Sequence, residues 1–128
     1  MIRTEGVHYI IEASFCDKNL LKDVEKIKEI LTKAAQKARM TIKGSYFYDF
    51  NGGVSGIVIV AQSHLSIHTW PEEAYAAIDI YTCGDSYPEI AVDFILREIK
   101  CKKAHITKID RGIKSENSYL HFITSYEK

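Results

Sequence analysis

The sequence predicts an α+β fold, a two-layer α/β sandwich in which two helices cover one face of a mainly antiparallel sheet. Two segments repeat apolar residues at helical spacing, and several others are rich in β-branched and aromatic residues. An Asn-Gly pair joins two of these β-rich segments, which is typical of a hairpin. The 128 residues, 46% of them hydrophobic, are enough for one domain with a real core.

The first half of the chain is predicted to form one strand, one long helix and a hairpin. The strand covers 7–15, the helix 17–40, and the two hairpin strands 41–50 and 54–62. The apolar residues of the helix recur every three or four positions and make one stripe: Val24, Ile27, Ile30, Leu31, Ala34, Ala35 and Ala38. That stripe is the surface that would pack on the sheet.

The second half is predicted to add four strands and a second helix. The strands cover 64–69, 75–82, 103–109 and 118–125. Ser86 would cap the helix, with Pro88 in its first turn and Glu89 completing a capping box. With both helices on one face, the other sheet face needs a cover, and a second copy of the chain is the simplest one.

Charge and cysteine content exclude several classes of protein. Lys and Arg total 17 and Asp and Glu total 17, so no general basic field exists for binding nucleic acid. No apolar run approaches the roughly 20 residues of a membrane helix, and the N-terminus lacks a secretion signal. The 3 cysteines cannot close a disulfide framework, which favours the cytoplasm. No membrane or nucleic-acid partner is predicted.

The densest group of reactive side chains lies at 62–72. His64 and His68 resemble a metal pair, but on a strand they would lie about 13 Å apart, too far to share one ion. A serine beside a histidine can become a nucleophile, and the nearby Cys83 thiol can deliver a proton. Ser63 and His68 would lie on opposite faces of a straight strand. The segment must therefore bend, or another strand must supply the partner.

Two motifs carry a resemblance to a known family. Ser-His-Leu-Ser-Ile-His-Thr-Trp-Pro-Glu at 63–72 and Tyr-Ala-Ala-Ile-Asp-Ile-Tyr-Thr-Cys-Gly-Asp at 75–85 resemble the prokaryotic S-adenosylmethionine decarboxylase proenzymes. Shorter matches extend the likeness over nearly the whole chain: Gly6-Val7-His8, Cys16-Asp17, Gly53-Val54-Ser55-Gly56 and Arg111-Gly112. The resemblance implies a single domain that dimerises through its sheets into a four-layer αββα arrangement.

The resemblance also implies that the chain cuts itself between Gln62 and Ser63. The products are a β chain, 1–62, and an α chain, 63–128, and the working enzyme is a homodimer of processed αβ protomers. Ser63 becomes a covalently bound pyruvoyl group that forms a Schiff base with the substrate, so neither pyridoxal phosphate nor a metal is implied. His68 assists processing, and Cys83 is the proton donor.

Further residues are assigned to the substrate site by the same resemblance. Ser55 lies in that site and supports processing, Trp70 contributes to binding, and Glu72 holds the ribose hydroxyls. An aromatic residue is expected six positions before Ser55 to stack on the adenine. A count without gaps places Asp49 there, whereas a loop shorter by one residue places Phe50 there.

Asp49 and Gln62 are departures from the family pattern. Asp49 would suit the cationic tail of arginine or ornithine, although it could also be a solvent-facing hairpin residue. Gln62 stands where the family has glutamate, but the attacked group is the backbone carbonyl, so processing is expected to persist.

The predicted function is decarboxylation of S-adenosylmethionine, which yields the aminopropyl donor for spermidine synthesis. A pyruvoyl-dependent arginine or ornithine decarboxylase is the alternative within the same chemistry. An unprocessed, non-catalytic subunit that pairs with an active homologue is the alternative from another class.

Overall fold

The structure, a computed structural model, describes residues 4–83, 85–113 and 119–126. Its seven strands form one antiparallel sheet in the order β2-β3-β4-β5-β1-β6-β7. The strands are β1 (Gly6–Ser14), β2 (Ile42–Phe50), β3 (Gly53–Val60), β4 (Ser63–Trp70), β5 (Tyr75–Cys83), β6 (Lys103–Arg111) and β7 (Tyr119–Ser125). All predicted strands are present, although Ser118, the expected start of the last one, lies outside the described residues.

The helices differ from the prediction at their ends. They are α1 (Lys18–Leu21), α2 (Val24–Lys37) and α3 (Pro88–Glu98), with a short 3-10 helix at Pro71–Glu73. The single long helix predicted over 17–40 is wrong, because Asp17 caps α1 and Asp23 caps α2. Asp17 accepts the N–H groups of Asn19 and Leu20. Asp23 accepts the N–H of Lys26, so a second helix begins at Val24, inside the predicted one.

The predicted cap of α3 is also wrong. The N-cap is Tyr87, without a side-chain hydrogen bond, and Ser86 Oγ instead lies 2.5 Å from Thr82 Oγ1. Pro88 does occupy the first turn, where its missing N–H is harmless. The position of the helix is thus as predicted, but its capping box is not formed.

One face of the sheet packs on the helices and forms the core. The apolar stripe of α2 is buried from Ile27 to Ala35 and half-buried at Val24, and alternate residues of the central strands are buried too. Among the largest fully buried side chains are Ile11, Ile27, Leu31, Leu65, Ile80 and Ile95. Helices on one face of an antiparallel sheet confirm the predicted α+β sandwich.

Thr69 joins the sheet to α1 through two buried hydrogen bonds. Its Oγ1 donates to the carbonyl oxygen of Leu21 at 2.6 Å and accepts the N–H of Val54 at 2.8 Å. We expect Thr69→Val to lower the free energy of unfolding by about 1–3 kcal/mol, because both buried backbone groups lose their partner. Urea denaturation measures this change in the free energy of unfolding. Thr41→Val, at an exposed position, is the control. Equal losses in both variants would contradict the argument.

The second face of the sheet carries polar and aromatic side chains. On β4, Leu65, Ile67 and Thr69 point into the core, whereas Ser66 and His68 alternate with them on the other side. Several large apolar residues of the described chain are exposed, among them Ile10, Tyr46, Tyr48, Phe50, Ile59 and Trp70. Within the described residues, no helix has the length and apolar character to cross a membrane. Ser66, His68 and Trp70 of β4 and Cys83 of β5 lie on this second face, which we call the open face, whereas Ser63 falls on the same side of β4 as Leu65.

Candidate active site

One end of β4 brings together three of the predicted residues. The hairpin between β3 and β4 turns at Gln62, which adopts a left-handed backbone conformation with φ of 64°. The backbone N–H of Cys83 donates to Ser63 Oγ at 3.0 Å, and the Cys83 thiol lies 3.7 Å from the carbonyl oxygen of Gln62. Cys83 therefore contacts both sides of the Gln62–Ser63 peptide bond. Its backbone N–H and its thiol are two hydrogen-bond donors beside the position where a group derived from Ser63 would lie.

The other end of β4 brings together Ser55 and His68. These residues pair directly across β3 and β4, and Ser55 Oγ lies 2.9 Å from His68 Nδ1. A cavity of about 430 Å³ opens beside them. The residues that line it include Tyr48, Phe50, Ser55, His68, Trp70 and Glu72. Aromatic rings, one carboxylate and a Ser-His pair thus share one concave surface.

Asp49 and Phe50 are placed differently with respect to this cavity. Phe50 lines it and is 62% exposed, so its ring is open to a ligand. The Asp49 carboxylate instead accepts the backbone N–H of Gly52 at 3.0 Å and closes the hairpin turn. Asp49 is not among the residues that line the cavity.

The two ends of the site are far apart within one chain. β4 pairs with β3 from Ser63 to His68 and with β5 from His64 to Trp70 without a register shift, so no bulge turns the strand between Ser63 and His68. Five residues of extended strand span about 16 Å. One protomer therefore does not bring the Ser63 end and the His68 end into contact.

A cluster around Asp79 occupies the open face beside the Ser63 end. The Asp79 carboxylate lies 2.7 Å from His64 Nε2 and 3.3 Å from His8 Nε2, and it accepts the Ser66 hydroxyl at 2.6 Å. Partial burial acts to raise the pKa of Asp79, but hydrogen bonds from His8, Ser66 and His64 outweigh it and hold that pKa far below its usual range. Asp79 is thus a carboxylate at neutral pH.

His8, His64 and Asp79 also form the one grouping of metal-ligand types found among the described residues. Their nearest atoms all lie within 4.8 Å of one another. Arg111 donates to His8 Nδ1 at 3.1 Å, so the assigned tautomer has its proton on Nε2, facing Asp79. A nitrogen that carries a proton cannot ligate a metal, so the arrangement favours a hydrogen-bonded network.

Asp79, Tyr81 and Arg111 belong to the matched motifs, but no role is predicted for them from the sequence. His8 and Arg111 are 103 positions apart, and only the placement of β1 between β5 and β6 brings them together. The one local signal is alternation on β5, where Asp79, Tyr81 and Cys83 fall on the same face.

Comparisons with known proteins agree over most of the chain. The family model described as S-adenosylmethionine decarboxylase matches residues 7–112. The S-adenosylmethionine decarboxylase proenzyme of Pyrococcus horikoshii is 51% identical over 128 residues, which cover 98% of this chain and 92% of that one. The proenzyme of the same name from Thermodesulfovibrio yellowstonii is 46% identical over 115 residues, covering 88% and 85% of the two chains.

A solved structure of an adenosylmethionine decarboxylase also matches this chain. The crystal structure of the adenosylmethionine decarboxylase from Aquifex aeolicus matches with a TM-score of 0.81 and 36% identity, covering 91% of this chain and 98% of that one. Sequence and fold therefore agree over nearly the full length. The chain belongs to the S-adenosylmethionine decarboxylase family.

Proposed function

We propose that this protein decarboxylates S-adenosylmethionine after it cuts itself between Gln62 and Ser63 into a β chain, 1–62, and an α chain, 63–128. The observation that carries the proposal is the position of Cys83, which contacts Ser63 Oγ and the Gln62 carbonyl at once. The N–H of Cys83 orients the hydroxyl for attack on that carbonyl, and the thiol is a donor for the oxygen on which charge develops. Family membership supports the same reaction.

A pyruvoyl group derived from Ser63 is the proposed cofactor, with no need for pyridoxal phosphate or a metal. When formed, this group supplies a carbonyl that takes up the substrate amine and the electron pair left by carbon dioxide. The residues around Ser63 are placed to serve it: Cys83 holds a proton within reach of the same position. The product is decarboxylated S-adenosylmethionine, the aminopropyl donor for spermidine synthesis.

The cavity at the other end of β4 suits a nucleoside. Phe50 and Trp70 offer aromatic faces for the adenine, and Glu72 is a carboxylate acceptor for the ribose hydroxyls. The Ser55–His68 pair lies in the same wall, where it would move a proton during self-cleavage. Each of these groups is chemically matched to S-adenosylmethionine.

We further infer that the enzyme is a homodimer whose open faces pack together, with active sites near the interface. The exposed apolar residues of the open face would then be buried. A twofold axis that runs across the strands places the His68 end of one protomer over the Ser63 end of its partner. Each complete site would then combine Ser63 and Cys83 of one protomer with Ser55 and His68 of the other.

The cellular setting is inferred from the cysteines. Cys16, Cys83 and Cys101 are all free thiols in the structure. Free thiols persist in a reducing compartment, so we infer a cytoplasmic enzyme. Cys16 and Cys101 are buried, which leaves Cys83 as the accessible one.

Carbon dioxide release from S-adenosylmethionine, arginine and ornithine, measured in parallel on the purified protein, tests the proposed function. We expect release from S-adenosylmethionine alone, from protein that migrates as two chains on a denaturing gel. Release from arginine or ornithine instead would assign the alternative substrate. A single uncut chain without activity would support the non-catalytic subunit.

Replacing Phe50 separates the two possible positions of the adenine-stacking residue. We expect Phe50→Ala to raise KM for S-adenosylmethionine by about tenfold or more, because base–aromatic stacking is worth about 1–3 kcal/mol. The neighbouring Asp49→Ala is the matched control and should leave KM unchanged, since that carboxylate bonds the hairpin backbone. The reverse pattern, with KM sensitive to Asp49 and indifferent to Phe50, would show that the stacking assignment is wrong.

A further inference from the structure

Four side chains lead from the centre of the open face to the Cys83 thiol. His8 links Asp79, 3.3 Å from its Nε2, to Arg111, 3.1 Å from its Nδ1. The Arg111 guanidinium stacks on the ring of Tyr81 at 4.4 Å from its centroid. The Tyr81 hydroxyl lies 3.6 Å from Cys83 Sγ. The proposed chemistry uses Cys83 but none of these four residues, which we call the Asp79–Tyr81 chain.

The inner part of this chain has a fixed hydrogen-bond direction. Arginine only donates, so His8 Nδ1 accepts from Arg111 and His8 Nε2 donates to Asp79. The carboxylate is held in turn by His64 and Ser66. Arg111 is therefore anchored through His8 to a carboxylate whose position is set by three partners. An anchored guanidinium gives the Tyr81 ring a defined orientation.

The Tyr81 end of the Asp79–Tyr81 chain can form a hydrogen bond with Cys83 either as a thiol or as a thiolate. The hydrogen bond with Cys83 raises the pKa of the Tyr81 phenol, as do burial and the charge of a Cys83 thiolate, while Arg111 acts in the opposite direction. The phenol therefore keeps its proton at neutral pH. A phenol oxygen accepts a hydrogen bond from an S–H group, and its O–H donates to a sulfur that has lost its proton.

We infer that Tyr81, stacked under Arg111, is a positioning residue for Cys83: it orients the thiol before proton transfer and stabilises the thiolate afterwards. The inference rests on the proposed function, in which the proton moves from Cys83 Sγ to the substrate carbon and leaves a thiolate. During that step the Tyr81 hydroxyl changes from acceptor to donor. The Arg111 cation partly offsets the new negative charge, and water returns the proton to the sulfur.

The first test needs no activity. In the Ser63→Ala chain, which keeps the peptide bond between positions 62 and 63, iodoacetamide alkylation of Cys83 is followed by peptide mass spectrometry at one pH. The reagent attacks the thiolate. We expect Tyr81→Phe in this background to slow alkylation of Cys83 about three- to tenfold, because the thiolate loses a donor. Arg111→Gln should slow it in the same direction. Cys16 and Cys101 are buried and serve as internal references.

Tyr75→Phe is the matched control for this test. Tyr75 lies on the same strand and the same face, but its hydroxyl donates to Glu12 rather than to Cys83. Its removal should leave the alkylation rate of Cys83 unchanged. An unchanged or faster rate in Tyr81→Phe, or equal slowing in both tyrosine variants, would overturn the role of Tyr81. A parental rate in Arg111→Gln would overturn the role of Arg111.

The second test uses the cleaved enzyme. Tyr81→Phe should lower kcat for S-adenosylmethionine about three- to tenfold while KM stays within about twofold, because the hydroxyl acts on the thiol and not on the substrate. A rise in KM at constant kcat would contradict the inference. Absence of decarboxylation by the parent enzyme would contradict the proposed function instead, and the alkylation result would stand by itself.

Discussion

A chain that carries Ser63→Ala should remain at its full length and release no carbon dioxide from S-adenosylmethionine. Alanine has no hydroxyl to attack the Gln62 carbonyl, so the acyl shift from nitrogen to oxygen cannot begin. The backbone N–H and the thiol of Cys83 would still lie beside the peptide bond, but no nucleophile would be present to attack it. The expected loss is complete for both cleavage and activity, which makes it a large and unambiguous effect.

Denaturing electrophoresis and intact-mass measurement decide the outcome of the Ser63→Ala experiment. The parent protein should give two masses that correspond to 1–62 and 63–128, and Ser63→Ala a single uncut mass. Ser45→Ala, an exposed residue of β2, is the control and should cleave like the parent. Decarboxylation by the Ser63→Ala chain would refute the pyruvoyl mechanism.

The sequence was sufficient for the sheet but not for the helix boundaries. Runs of β-branched and aromatic residues located every strand. In the central strands β4 and β5 buried residues also alternate with more exposed ones, because one face of each lies in the core. The break in the first helix was missed because Asp23 lies inside the predicted helix, one position before its apolar stripe begins at Val24, and its capping role depends on backbone geometry. Ser86 failed as a cap because Thr82, at the end of β5, competes for its hydroxyl.

Candidate site residues that are close in sequence could be named together from the sequence. Ser63, His68 and Glu72 share one segment, and the resemblance named them together. The Asp79–Tyr81 chain was not predictable, because His8 and Asp79 are separated by 71 positions and meet only through the pairing of β1 with β5. Local periodicity does not show which strands are neighbours in the sheet. Contacts between residues of strands that are distant in sequence can therefore be identified only from a structure.

Cleavage of a chain that lacks His68 should be restored by a partner that lacks Ser63. β4 has no bulge between Ser63 and His68, so these residues are about 16 Å apart along it. If each site takes Ser63 from one protomer and His68 from the other, a mixed dimer of Ser63→Ala and His68→Ala chains has one intact pair. That pair joins Ser63 of the His68→Ala chain to His68 of the Ser63→Ala chain.

Co-expression with two different affinity tags, followed by purification on both, isolates the mixed dimer. Alone, each variant should remain uncut, whereas in the mixed dimer the His68→Ala chain should be cut at Ser63 and the Ser63→Ala chain should remain whole. The matched control is co-expression of Ser63→Ala with a chain that carries both substitutions, which has no intact pair in either arrangement. If both components of the Ser63→Ala and His68→Ala dimer stay whole, the site does not span the interface. Because a site within one protomer predicts no cleavage and a shared site predicts cleavage of one identified chain, the masses alone decide between them.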